Sequence, residues 1–248
     1  MTIVLVHGVP EISAVWDPLR AELGRSDIEA LRLPGFGAPR PEGFGATKEE
    51  YVDWIVAELE RIGASGPIDL VGHDWGGGFV VRVVSTRPDL VRSWVTDAAA
   101  LGDPGFEWHD FAKIWQTPGD GEEFFAQQLA TDPDDSAVVF EAFGVPLDRA
   151  RELVGWADEE MARCILTLYR SAVDVGKQWG PDFEKIAAPG LVILPTEDPF
   201  LSAEGARRAA TRAGVDVVEL PGIGHWWMLQ NPTLGASVLT EFWSSLGN

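Results

Sequence analysis

The sequence predicts an α/β fold: a mostly parallel central sheet flanked by helices, with an inserted helical cap. Two observations carry this. Short β-branched apolar runs alternate with segments of helical period, the pattern of a parallel sheet covered on both faces. The alternation then breaks over residues 102–181, which hold helical stretches but no convincing strand. That gap far exceeds the usual connection of about 4–6 residues. The expected division is a core of residues 1–101 and 182–248, with 102–181 as the cap.

Each element has its own warrant. "TIVLVHG" is a buried strand stopped by glycine. "VWDPLRAEL" puts Trp16, Leu19 and Leu23 on one helical face, with Asp17 as the expected N-cap and Pro18 at the first helical position. "IEALRLPGFG" reads as a second strand ended by a Pro-Gly turn. Thr47 and Glu50 form a capping box before a helix whose apolar period runs through Tyr51, Trp54, Ile55, Leu59 and Ile62. Then follow strand "PIDLVG", helix "GGFVVRVVSTRP" and strand "VRSWVTDAA". After the cap come strand "GLVILP", helix "SAEGARRAATRAG", strand "VDVVEL" and the terminal helix "SVLTEFWSSLGN".

Composition narrows the partners. The net charge is −20, which disfavours nucleic acid, anionic membrane and strongly anionic substrates. No apolar run reaches the roughly 18 residues that span a bilayer. The first residues lack a basic n-region, so no signal peptide is expected and a cytoplasmic location is. The single cysteine, Cys164, lies in the apolar run "MARCILTLY" and reads as an inert core thiol. No ligand cluster or phosphate loop calls for a metal or organic cofactor, and none is expected. The expected partner is a small neutral hydrophobic substrate, and the assembly a monomer or homodimer.

The stretch "DLVGHDWGGGFV", residues 69–80, carries the chemistry. A strand, a Gly-x-Asp-x-Gly turn and a helix lift one side chain, Asp74, above the carboxyl end of the sheet. Gly72 and Gly76 permit the crowding. Alone the motif also fits a solvated turn, since Gly and Asp favour turns. Three further features join it. "HGVP" after the first strand can aim the Val9 amide, with that of Trp75, at a developing oxyanion. "LPTEDPF" places Asp198 just past a late strand, and "PGIGHWW" places His225 after the last one. The order Asp74, Asp198, His225 is nucleophile, acid, histidine. His7 and His73 read as structural neighbours of the motif glycines.

"HGVPE", "GHDWGGG", "EDPF" and "GHWW" together resemble the α/β-hydrolase superfamily, and within it the aspartate-nucleophile branch of epoxide hydrolases and haloalkane dehalogenases. Family members carry a strand pair before the "HG" strand; here the sheet's edge is expected to be trimmed. The resemblance implies that Asp74 attacks saturated carbon to form an alkyl ester. His225, oriented by Asp198, then activates the water that cleaves it. It also implies cap tyrosines as proton donors to an epoxide. Only Tyr169 lies in the cap, so the pair is reduced to one unless His109 or another group substitutes. For Tyr169, packing on the core is the alternative.

Trp75 matches the halide-binding tryptophan of dehalogenases but also occurs in epoxide hydrolases. Trp108, His109 and Trp115, with Trp156 and Trp179, are candidates for an apolar pocket under the cap, core packing being the alternative for each ring. The expected activity is an epoxide hydrolase giving a diol. A haloalkane dehalogenase is the alternative, and a non-hydrolytic or ligand-binding relative stands behind both.

Overall fold

The computed structural model describes residues 1–247. Asn248, the last residue of the expected terminal helix, lies outside the described residues. Strand β1 (Thr2–Val6) is buried from Ile3 onward. A 3-10 turn over Ser13–Trp16 feeds directly into α1 (Asp17–Leu23), which corrects the expected cap. Trp16 holds the N-cap place with φ −83° and ψ −10°, already helical, and makes no side-chain cap bond. A capping side chain works from an extended residue, and none precedes this helix.

Strand β2 is only Ile28–Ala30, shorter than its apolar letters suggest. Leu31, Leu33 and Phe36 continue as buried loop because Pro34 cannot donate to a ladder and Gly35 and Gly37 take positive φ. Helix α2 (Lys48–Gly63) begins on the complete Thr47–Glu50 capping box. Strand β3 (Ile68–Gly72), wholly buried, leads through a sharp turn to α3 (Trp75–Thr86), and β4 (Ser93–Thr96) follows.

From there to residue 189 the described chain is helical or irregular. It forms α4 (Asp110–Gln116), α5 (Asp120–Ala130), α6 (Pro133–Ala142), α7 (Leu147–Trp156), α8 (Glu159–Ser171) and α9 (Val175–Trp179). The chain then returns to the sheet as β5 (Gly190–Pro195), α10 (Ala203–Ala213), β6 (Asp216–Leu220), α11 (Trp227–Gln230) and α12 (Pro232–Ser245).

The six strands run parallel in the order β2-β1-β3-β4-β5-β6. Alternate residues serve opposite faces, as strand pleating requires. Val4, Val6 and Leu70 join one core layer, with α2, α3 and α8; Ile3, Leu5 and Val71 join the other, with α1 and α12. The winding direction reverses between β1 and β3, and a crevice at such a switch point is where open α/β sheets bind ligands. The α6–α7 hairpin settles on the second layer through Ala137, Val145, Ala150 and Leu153. No helix of the described residues is long and apolar enough to cross a membrane.

Candidate active site

Asp74 sits between β3 and α3 with φ 50° and ψ −121°, a backbone state that costs about 1–3 kcal/mol for a non-glycine residue. The crowding that sequence suggests is real: a Cβ on Gly76 would overlap the Val6 carbonyl, and one on Gly8 would overlap the Asp74 side chain. The bare glycines let the loop after β1 close on the carboxylate. As a result the Val9 N–H donates to Asp74 Oδ1 at 2.9 Å. Trp75, at the start of α3, offers one of the amides that a helix leaves without an intrahelical partner.

The other carboxylate oxygen faces the histidine. His225 Nε2 lies 3.8 Å from Asp74 Oδ2, and His225 Nδ1 donates to Asp198 Oδ2 at 2.8 Å. The Phe200 N–H donates to Asp198 Oδ1 at 2.8 Å, so both oxygens of that acid are engaged. Burial pushes the His225 pKa down, but the Asp198 carboxylate and its hydrogen bond outweigh this and the net direction is up. Asp198 moves the other way: burial raises it, and the charge of His225 more than offsets that.

His225, its other nitrogen bonded to Asp198, and the carboxylate of Asp74 line a cavity of about 320 Å³. Tyr169, His109 and Trp115 line it, as do Phe111, Phe125 and Phe140. Among the described residues no Lys or Arg lines it; its carboxyl side chains are Asp74 and, on the exposed start of α6, Asp135. Tyr169 is 2% exposed, and burial, then the Asp74 charge, holds its pKa well above the usual phenol range. The indole N–H groups of Trp75 and Trp115 are buried without a hydrogen-bond partner among the described residues. Both rings pack against Tyr169, at 5.5 and 4.8 Å between centroids. The Trp75 N–H acts to lower the phenol's pKa without forming a well-aligned bond to it. His109 caps α4: its Nδ1 accepts from the Ala112 N–H at 3.2 Å, which leaves the proton on Nε2. Burial lowers its pKa and keeps the ring neutral.

Of the other candidate rings, Trp108 lines a small recess that also touches Asp74, Trp75 and His109, while Trp156 and Trp179 take the alternative of core packing. Trp108 packs beside Trp75 with the rings tilted and donates its indole N–H to the Ala172 carbonyl at 3.1 Å. Trp156 packs against the apolar core, and Trp179 is buried beneath Arg82 of α3, 5.7 Å from its guanidinium. A large ring satisfies any apolar surround, so its letter does not tell cavity from core.

Two buried acids were given no role by the sequence, although Glu11 closes the "HGVPE" motif. Asp97, just past β4, accepts from His73 Nδ1 at 2.6 Å, the Trp227 indole at 2.8 Å and the Asp74 N–H at 2.9 Å. Glu11 accepts from the Gly8 N–H at 2.6 Å and the Trp226 indole at 2.9 Å. His73 lies between them, with its Nε2 3.8 Å from Glu11 Oε1. These three side chains tie the loop after β1 to the turn after β3. His7 bonds only to backbone, at Gly8 and Leu33, and burial lowers its pKa to about 4. Among the described residues no cluster of His, Cys, Asp and Glu is arranged to hold a metal ion.

Residues 3–236 match the model of the alpha/beta hydrolase family. The chain belongs to that family. This alpha/beta hydrolase is 26% identical over 247 residues, 95% of its length and 85% of the other's, to 2-(acetamidomethylene)succinate hydrolase of Mesorhizobium japonicum. It is 31% identical over 91 residues to (E)-2-((N-methylformamido)methylene)succinate hydrolase of Acinetobacter baylyi, a match spanning 36% of this chain and only 34% of that protein. Its fold superimposes on a haloalkane dehalogenase loop variant from Bradyrhizobium elkanii with a TM-score of 0.73 at 17% identity, covering 100% of this chain and 91% of that one.

Proposed function

We propose that this hydrolase opens epoxides to diols through an alkyl ester on Asp74. One observation carries the reading: the two oxygens of Asp74 have different partners. Oδ1 rests on the Val9 N–H and Oδ2 lies 3.8 Å from His225 Nε2, on a carboxylate that lines the cavity. Oδ2 attacks an epoxide carbon, the C–O ring bond breaks, and its electron pair leaves on the ring oxygen, which takes the Tyr169 proton. In the ester, Oδ1 is the carbonyl oxygen, already against its donor. His225 Nε2 removes a proton from water as that water adds to the carbonyl, and the Val9 N–H meets the charge formed on Oδ1. Collapse breaks the bond to the alkoxide, which takes the proton from His225. The second water proton stays on the regenerated Asp74 carboxyl and returns to Tyr169.

The cavity supports an uncharged, apolar substrate. A dianion of the succinate class finds no cationic side chain there. The haloalkane dehalogenase reading is favoured by a separate observation, the two unpartnered indole N–H groups of Trp75 and Trp115, which suit a leaving halide. Incubation with styrene oxide and with 1-bromobutane separates the two. Diol without bromide is expected; bromide without diol would make the chain a dehalogenase.

Ester hydrolysis needs neutral His225. Its raised pKa places the acid limb of kcat above the ordinary histidine midpoint of 6.5, with activity rising as pH rises through it. Asp198→Asn removes the main upward cause. The limb should move to lower pH, and kcat should fall by about 10³–10⁴, as loss of a histidine's orienting acid does elsewhere. An unmoved limb would show that another group titrates.

A further inference from the structure

We infer that Gln230 is a positioning residue for His225, and that its side chain joins the catalytic histidine's loop to the cap. This rests on the role proposed above for His225. The Gly224 N–H, one residue before the histidine, donates to Gln230 Oε1 at 2.9 Å. The other half of the same amide, Nε2, donates to the Phe143 carbonyl at 3.0 Å. Phe143 and Gly144 form the turn of the α6–α7 hairpin, and Gly144 has a φ of +86°. A Cβ on Gly144 would meet the Gln230 amide at 3.0 Å, and one on Gly224 would meet the Phe143 carbonyl at 3.0 Å. Two glycines thus let the cap turn lie directly on the histidine loop, with one planar amide bridging them.

The contact continues through side chains. The Phe143 ring lines the cavity and packs on Phe200 at 5.4 Å, and Phe200 packs edge-on to His225 at 5.0 Å. The cap wall therefore meets the histidine by two routes, a ring stack and an amide bridge. The rest of the loop is held within the core, by the Trp227 N–H to the His225 carbonyl and by the Glu197 N–H, from the loop after β5, to the Ile223 carbonyl. The Gln230 bridge alone, among the described bonds of Gly224 and His225 backbone, reaches the cap.

The two halves of the amide have separable effects. The Oε1 half holds the histidine and should act on ester breakdown, which His225 performs. The Nε2 half holds the cavity wall and should act on substrate binding. Ester formation, performed by Asp74, should be indifferent to both.

Gln230→Met removes both bonds at nearly constant volume. Gln230→Glu keeps an acceptor for Gly224 and loses the donor to Phe143. Rapid-quench mass spectrometry with styrene oxide gives the rates of ester formation and breakdown. In Gln230→Met, breakdown should slow by roughly tenfold, the scale of a small misplacement of a catalytic group, with formation within about twofold. In Gln230→Glu, KM should rise while breakdown stays within about threefold of wild type. Equal breakdown in wild type and Gln230→Met, or formation falling in parallel with breakdown, would overturn the inference.

Proton NMR of the resting enzyme reads the same point without any ester. The His225 Nδ1–H resonance, assigned by its loss in His225→Gln, should shift in Gln230→Met and hold in Gln230→Glu. An unmoved resonance in Gln230→Met would overturn the inference even if wild type forms no ester, a result that would separately refute the proposed reaction.

Discussion

His225→Gln should fold, lose steady-state turnover by about 10³–10⁴ or more, and carry one substrate mass on the peptide containing Asp74. The size of the effect follows from the division of labour proposed at Asp74. The attacking oxygen, Oδ2, needs no help from the histidine, because the carboxylate is already held by the Val9 N–H through its other oxygen. Alkylation therefore survives the change. Hydrolysis does not: in the proposed reaction His225 Nε2, 3.8 Å from Oδ2, is the base for the water, and a glutamine amide has no comparable basicity. Folding should persist because Gln can still donate to Asp198 Oδ2, which keeps the Phe200 N–H on its other oxygen, and a weakened bond to a charged group costs about 1.5–3 kcal/mol, less than a domain's stability. Asp74→Ala is the companion variant, with neither turnover nor adduct. Incubation with styrene oxide, tryptic digestion and peptide mass measurement check both. An adduct on another peptide, or full turnover in Asp74→Ala, would remove the nucleophile from position 74.

The parts of this site that could be read from sequence share one property: their backbone context is encoded locally. The elbow is visible because a strand of Ile68, Leu70 and Val71 runs into glycines at 72 and 76 with one acid between them. Asp198 and His225 stand out because each follows an apolar run that reads as a strand, one buried and one at the sheet's edge. Asp97 follows such a run too, yet "VTDAAA" looks like an acid reaching solvent at a strand end. What buries it is α11, from the far end of the chain, which brings the Trp227 indole to within 2.8 Å. Glu11 is hidden in the same way by Trp226. The tryptophans failed for a different reason. Helical period tells which face of a cap helix is apolar, not whether that face looks into a cavity or into the core. Trp115 looks into the cavity and Trp108 into a small recess beside Asp74, while Trp179 packs beneath Arg82.

Asp97→Ala should be the most destabilising single change beneath the site, by about 3–5 kcal/mol, the cost of leaving a buried charge without its partner. Native domains are stable by only about 5–15 kcal/mol, so the variant should be marginal at 25 °C. Three donors lose their acceptor at once: the His73 ring, the Trp227 indole and the Asp74 amide. The last of these also props the strained turn at Asp74, so the loss reaches the nucleophile. The charge of His73 gives a signature that a simple cavity would lack. Burial alone would lower the His73 pKa, but Asp97 and then Glu11 outweigh it and raise it from 6.5 to about 10. A group raised on folding stabilises the native state fully below its unfolded pKa, and that contribution is lost as pH climbs through the folded value. Wild type should therefore lose stability between pH 6.5 and about 10. In Asp97→Ala the first upward cause is gone, and this part of the slope should flatten. Urea unfolding at pH 6.5, 8 and 10 measures the difference. If the gap between the two proteins stayed constant across that range, His73 would not be the cation that Asp97 holds, and the elbow would owe its shape to packing alone.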